Sequence, residues 1–191
     1  MLNENWYDDC QLNNLVTLYK SIKELTGSII EIGCWEGKSS MALANVCFPE
    51  TLICNDTWLG NQVESELTGK VHATEIILKT RDVYKIFTDN MNNFTKSNYT
   101  VVKDDCLKWL PQFKQPLKFC HIDASHEYFS VKKTIEILLP LVVPNGILCG
   151  DDFLTSNIRR TDLAGGVERA VRETLPNFKN IGNLWFWKKE V

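Results

Sequence analysis

Ser28-Ile-Ile-Glu-Ile-Gly33-Cys-Trp-Glu-Gly37-Lys-Ser-Ser-Met-Ala-Leu-Ala-Asn-Val-Cys47 is the stretch that decides the fold. Ser28 to Ile32 is a short apolar run, Gly33 to Gly37 a glycine-bearing turn, and Lys38 to Cys47 a helical stretch. The order is strand, glycine turn, helix. Glycine at 33 lets a ligand approach the backbone closely, Gly37 permits the tight passage into the helix, and the helix start offers free N–H groups to an anion.

Outward from this unit the same alternation repeats. Thr51 to Cys54 reads as a second strand ending in Asn55 and Asp56, and Tyr99 to Val102 as a third ending in Asp104 and Asp105. Leu117 to Ile122 is a fourth, followed by Asp123 and a helix from about Phe129 to Leu139; Gly146 to Cys149 is a fifth, followed by Asp151 and Asp152. Short apolar strands with acidic or glycine-bearing turns and intervening helices predict an α/β fold, a doubly wound, mainly parallel sheet with helices on both faces. In such sheets ligands sit beyond the carboxyl ends of the strands, so Glu31, Asp56, Asp105, Asp123, Asp151 and Asp152 are expected on one rim. Upstream, Leu12, Leu15, Leu18, Ile22 and Leu25 have helical spacing from about Asp8 to Leu25, giving an N-terminal helix within residues 1–26 that Gly27 ends. Residues 60–93 are an insertion with a helix expected around Ala73 to Phe87, placed to wall or lid the rim. Thr155 to Gly166 reads as a loop, Val167 to Leu175 as a helix closed by Pro176, and Leu184 to Lys188 as a last strand in which Trp185, Phe186 and Trp187 alternate as sheet residues.

At 191 residues, with no repeat or linker, the chain is expected to be a single domain. Its net charge of -3 argues against a general nucleic-acid binder, which must neutralise many phosphates. Seven scattered cysteines with no C-x-x-C pair argue against a disulfide framework or zinc knuckle. Neither a membrane-spanning apolar run nor a signal-peptide pattern is present, so the expected location is cytoplasmic. Homo-oligomerisation is left open.

The dinucleotide fingerprint would need glycine at Trp35, which disfavours NAD. The E-x-G-x-x-x-G-x-S pattern of Glu31, Gly33, Gly37 and Ser39 resembles motif I of the class I S-adenosylmethionine-dependent methyltransferases. The resemblance implies a Rossmann-like methyltransferase fold with an antiparallel last strand, and S-adenosylmethionine as cofactor. By that resemblance the turn, Trp35 included, holds the methionine portion, with Gly33 at its backbone and Ser39 at its carboxylate. Asp56, at the tip of the second strand, suits a ribose diol; Asn55 has the same geometry to recommend it, and a plain turn is the structural alternative. Asp105 and Cys106 resemble the family's adenine-binding turn, in which Asp104 and Asp105 are interchangeable on sequence alone.

The second half is similar to a subgroup that includes macrolide-sugar and cephalosporin-type O-methyltransferases. The similarity lies in Phe119-Cys-His-Ile-Asp123-Ala-Ser-His126-Glu-Tyr128, Leu139-Pro-Leu-Val-Val-Pro-Asn-Gly146 and Gly150-Asp151-Asp152-Phe153, with Asp56-Thr57-Trp58-x-Gly60 and Gly166-Val-Glu-Arg-Ala-Val171 in support. It implies transfer of a methyl to a hydroxyl of a sugar, glycan or related small metabolite. A hydroxyl of pKa ~16 needs a metal, a base or both to react near neutral pH. Asp123, Asp151 and Asp152 could form an oxygen cluster for Mg²⁺ or another divalent cation, as the resemblance implies, or could merely cap a helix and a turn. His126, three residues past Asp123, is the candidate general base. The sugar-methylating enzymes commonly carry an Asp two residues after the metal Asp, where this chain has Ser125, so their Asp-base mechanism does not transfer.

His121 is expected deeper on the same face as Asp123, His72 at a helix start, and Arg159 and Arg160 on a substrate anion or in a solvated loop. Trp35, Trp58, Tyr128 and Phe153 stand at strand ends, as walls or as packing. Two other readings stand beside the first: a metal-independent methyltransferase using His126, and a cofactor- or carbohydrate-binding module without turnover.

Overall fold

β1 (Ser28–Ile32) shows why the sheet is sandwiched: consecutive side chains enter opposite cores, Ile29 on one face and Ile30 and Ile32 on the other. The structure, a computed structural model, describes residues 6–96, 98–153 and 164–190. Arg159 and Arg160, with most of the loop before α8, lie outside the described residues.

The chain runs α1 (Asp9–Lys20), β1, α2 (Lys38–Cys47), β2 (Leu52–Asp56), α3 (Gln62–Thr68), α4 (Ala73–Leu78), α5 (Val83–Phe94) and β3 (Tyr99–Lys103). It continues through α6 (Cys106–Trp109), β4 (Leu117–Ile122), α7 (Tyr128–Leu138), β5 (Val142–Gly150), α8 (Ala164–Thr174), β6 (Lys179–Ile181) and β7 (Leu184–Lys188). The sheet order is β3-β2-β1-β4-β5-β7-β6. β1 to β5 pair in parallel, and β7 runs antiparallel to both β5 and β6. The order reverses between β1 and β4, and at that switch point the carboxyl ends of neighbouring strands open a crevice. Residues of α1, α2 and α5 pack on one face, those of α7 and α8 on the other. No helix among the described residues is long and apolar enough to cross a membrane.

Departures from the sequence expectation have local causes. α1 stops at Lys20 because the carbonyls of Lys23 and Leu25 turn to the buried ammonium of Lys118, at 2.9 and 3.0 Å. The helix expected over 73–87 is broken in two: Asp82 accepts the Lys85 N–H and starts α5, and His72 caps α4. A further helix, α3, precedes them and ends at Gly69, whose φ is 66°. β5 begins at Val142, upstream of the expected Gly146, because Pro144 and Asn145 (φ 64°) are accommodated at a register shift. β6, absent from the sequence reading, pairs with β7 across Gly182 (φ 60°).

Candidate active site

One cavity of about 660 Å³ lies over the switch point. The β1 turn contributes Gly33 and Trp35, the β2 end Asn55, Asp56 and Thr57, and the β3 end Asp105 and Cys106. Asp123 and His126 enter from beyond β4, Asp151 and Asp152 from beyond β5. Leu59, and Gln62, Val63 and His72 from the 60–93 segment, also line it.

Gly33 has φ 87°, and a Cβ there would meet the Asp123 carbonyl oxygen at 2.0 Å. The close approach that demands glycine is thus to the β4 backbone. The Asp56 carboxylate organises the turn: Oδ2 accepts the N–H groups of Cys34 and Trp35, both at 2.8 Å, and Oδ1 that of Trp58 at 2.7 Å. Burial raises its pKa, and those bonds oppose the rise. Trp35 and Trp58 both have positive φ, 47° and 52°, a strained backbone that this shared acceptor holds. The amide of Asn55 donates to the carbonyls of Val102 and Asp104, while its buried Oδ1 has no partner. Asp105 caps α6 through the Leu107 N–H.

Several expected site residues stand elsewhere. Glu31 does not reach the rim; it is fully buried against the Ser40 hydroxyl and His121 Nδ1, the latter at 3.1 Å. Gly37 (φ 90°) is the N-cap of α2 and faces Phe87. Ser39 borders a separate small recess with Tyr7 and Cys34. Trp58 packs between Tyr84 and Phe87, its indole N–H donating to the Trp35 carbonyl. Phe153 packs on Phe178, and Tyr128 bonds Glu173 across to α8. Of the four aromatics considered as walls, Trp35 lines the cavity, stacked on Trp6 with ring centroids 5.3 Å apart.

At the reaction end, Asp123, His126 and Asp152 bring ligand atoms within 4.8 Å of one another. His126 Nε2 is 2.6 Å from Asp152 Oδ2, and its Nδ1 is 3.2 Å from Glu64 Oε1. Burial alone would lower its pKa, but the two carboxylates outweigh it and push it up to about 11. The two carboxylates thus favour the imidazolium over the neutral ring that a general base requires. Asp151 stands apart from that trio: Oδ2 accepts from the Gln11 amide at 3.3 Å and the buried Oδ1 has no partner. Asp123 is raised to about 7, first by burial and then by Asp151 and Asp152, with His121 opposing.

Three groups at this end have no signal in the sequence pattern. Glu64, buried in α3, accepts the His126 backbone N–H at 2.8 Å as well as facing its ring, and lies 3.6 Å from His72. Tyr7 donates its hydroxyl to Asp123 Oδ2 at 2.9 Å, and Gln11 reaches Asp151. His121 sits deeper than Asp123, as alternation requires, between Glu31 and the Tyr7 hydroxyl.

The sequence pattern of the family described as "Methyltransferase domain" matches residues 30–153. No curated protein matches the chain in sequence. Among solved structures, the O-methyltransferase NovP superposes with TM-score 0.69 at 16% identity, covering 95% of this chain and 80% of that one. The TDP-rhamnose 3′-O-methyltransferase CalS11, an enzyme of calicheamicin biosynthesis, gives 0.60 at 15%, covering 95% and 81%. An O-methyltransferase from Bacillus cereus in complex with SAH gives 0.58 at 17%, covering 96% and 82%.

Proposed function

The chain belongs to the methyltransferase-domain family, and we propose that it transfers a methyl from S-adenosylmethionine to a hydroxyl of a sugar, glycan or related small metabolite, with a divalent cation assisting. The observation that carries this reading is the single cavity that joins the glycine turn and the β2 and β3 ends to the acidic centre. Its volume suits a small-molecule site, and the unpartnered Asn55 Oδ1 on its wall is an acceptor of the kind an adenine amine or ribose hydroxyl satisfies. Asp105 and Cys106 would hold the base, Asp56 and Thr57 the ribose, and Gly33 and Trp35 the methionine end. Glu31 and Ser39 take no direct part, since neither borders this cavity.

S-adenosylmethionine supplies a methyl activated on a sulfonium, which passes to the acceptor oxygen as the carbon–sulfur bond breaks. The protein must bring that oxygen to the methyl and take its proton. Asp123, with a pKa about 7, is the group able to accept a proton near neutrality, and the positive His126 beside it stabilises a developing alkoxide. The donor set also fits a divalent cation. Asp123 and Asp152 would hold it with His126 Nε2, the ring then being neutral with its Nδ1 facing Glu64 as a ligating histidine commonly faces a carboxylate, and the cation rather than an imidazolium would supply the positive charge. The unpaired Oδ1 of Asp151 is the further oxygen that an all-oxygen Mg²⁺ site would call on. A ligand set with one imidazole suits Mn²⁺ or Fe²⁺ better than Mg²⁺.

A metal-free reading has one observation in its favour: His126 lies between Asp152 and Glu64, two carboxylates that favour its positively charged form at the acidic centre. The sugar acceptor draws support from the fold shared with CalS11, a TDP-rhamnose 3′-O-methyltransferase. The test is release of S-adenosylhomocysteine across sugars, nucleotide sugars and catechols, with Mg²⁺, Mn²⁺ or EDTA. Turnover of a sugar that EDTA abolishes and Mn²⁺ restores is expected. Full activity in EDTA removes the cation, and cofactor binding with no turnover of any acceptor favours a binding module.

A further inference from the structure

Resting on the reaction centre just proposed, we infer that the N-terminal segment is part of that centre, with Tyr7 a positioning residue for Asp123 and Gln11 for Asp151. Residues four apart in sequence each donate to the carboxylate at the tip of a different strand, Tyr7 to the end of β4 and Gln11 to the end of β5. The Gln11 side chain is itself fixed, because its Oε1 accepts the Asp8 N–H in the box that caps α1, and this leaves its amide nitrogen for Asp151. Tyr7 is fixed from three directions. Its carbonyl accepts from Lys38, its ring meets the edge of His121, and its hydroxyl lies 3.1 Å from His121 Nε2. Behind His121 stand Glu31 and Ser40, so a buried chain of polar groups runs from the core of β1 and α2 to Asp123.

A phenylalanine would fill the space of the Tyr7 ring equally well. What the hydroxyl adds is direction: with Oδ2 of Asp123 engaged by the N-terminal segment, the other oxygen is the one presented to a ligand. Gln11 holds Asp151 through Oδ2 and leaves its buried Oδ1 without a partner. Second-sphere donors of this kind fix the orientation of carboxylates around a cation and are worth roughly 10–100-fold in its affinity.

The test compares full-length Tyr7→Phe with wild type. Tyr19→Phe serves as control, because that hydroxyl binds Glu50 at 2.8 Å, outside the reaction centre. Mn²⁺ binding is read by electron paramagnetic resonance, S-adenosylhomocysteine binding by calorimetry, and the Asp123 side chain by crystallography. Expected for Tyr7→Phe are Mn²⁺ affinity lower by about 10–100-fold and a rotated Asp123 carboxylate, with S-adenosylhomocysteine affinity unchanged; Tyr19→Phe matches wild type. Unchanged Mn²⁺ affinity with an unmoved Asp123 overturns the inference. Wild type that binds no Mn²⁺ refutes the cation reading instead, and the position of the Asp123 carboxylate in Tyr7→Phe then decides the inference alone. Should Tyr7→Phe fail to fold, Gln11→Met poses the same question at Asp151, where an unmoved carboxylate and wild-type Mn²⁺ affinity overturn it.

Discussion

Substituting Gly33 by alanine tests whether the β1 turn and the reaction centre are mechanically one piece. Gly33 sits at φ 87°, where an L side chain costs roughly 1–2 kcal/mol. The added Cβ would also lie 2.0 Å from the Asp123 carbonyl oxygen, 2.4 Å from its carbon and 2.7 Å from the Ala124 nitrogen. Ordinary contact begins near 3.4 Å, so the end of β4 must retreat by about 1.4 Å. Backbone atoms cannot give way by changing rotamer, and the retreat also pulls on the 2.7 Å bond from the Asp123 N–H to the Ile32 carbonyl. Overpacking of this sort adds about 1–3 kcal/mol, for a total of roughly 2–5 kcal/mol. At this chain length that is a fall in Tm of the order of 10 °C.

The kinetic consequence is larger in proportion, because a displacement of about 1 Å at a reacting group costs of the order of 10²-fold in rate. Gly69→Ala is the matched control: Gly69 has φ 66°, but a Cβ added there would meet nothing within 4 Å, so that variant bears the backbone cost alone. Calorimetric melting and the initial rate of methyl transfer at saturating cofactor are compared for both variants. If Gly33→Ala melts and turns over like Gly69→Ala, the close approach to Asp123 does not constrain the site and the reasoning fails.

Asp56→Ala removes the acceptor shared by three backbone N–H groups. It is expected to cost about 2–3 kcal/mol and to weaken S-adenosylhomocysteine binding, and an unchanged calorimetric Tm would refute this. Glu64→Gln loosens the grip of α3 on His126. Burial would raise the Glu64 pKa, but the bonds and charge of His126 outweigh it and hold it below its ordinary 4.5. Its stabilisation is therefore complete above about pH 4.5 and is lost as pH falls through the lower folded value. The Tm advantage of wild type over Glu64→Gln should accordingly shrink on acidification from pH 7 to pH 3, and an advantage that is constant or grows contradicts the assignment. Lys118→Met strips a buried ammonium from the Lys23 and Leu25 carbonyls and from Glu50. Glu50 is 40% exposed and rehydrates, so the cost is set by the two carbonyls at about 2–3 kcal/mol, read by urea denaturation; a loss under about 0.5 kcal/mol would be too small for that role.

β1 to β5 were legible because each combines two signals, an apolar run and a polar turn, as strands of a parallel sheet covered by helices do, whereas the exposed β6 has no apolar run. Asp56, Asp105, Asp123 and Asp152 reach the cavity because the fold gathers strand ends wherever the strands run parallel. What the pattern could not resolve is the job of each carboxylate. Glu31 lies one residue short of the β1 end, and that single step buries it beneath the rim, on Ser40 and His121. Asp151 and Asp152 are adjacent, yet Asp152 adopts φ 60° and swings to His126 while Asp151 stays with Gln11. Tyr7, Gln11 and Glu64 were invisible for a different reason. They arrive from α1, its lead-in and α3, more than 60 residues away in the chain from Asp123, Asp151 and His126, and no periodicity encodes such a meeting. Sequence pattern thus locates a reaction centre through the strands that carry it, whereas the orientation of its charges is set by the segments that pack over those strands. The acceptor proton and any cation depend on that second layer, which is why Tyr7→Phe and Glu64→Gln are more discriminating tests of the chemistry than replacement of the aspartates themselves.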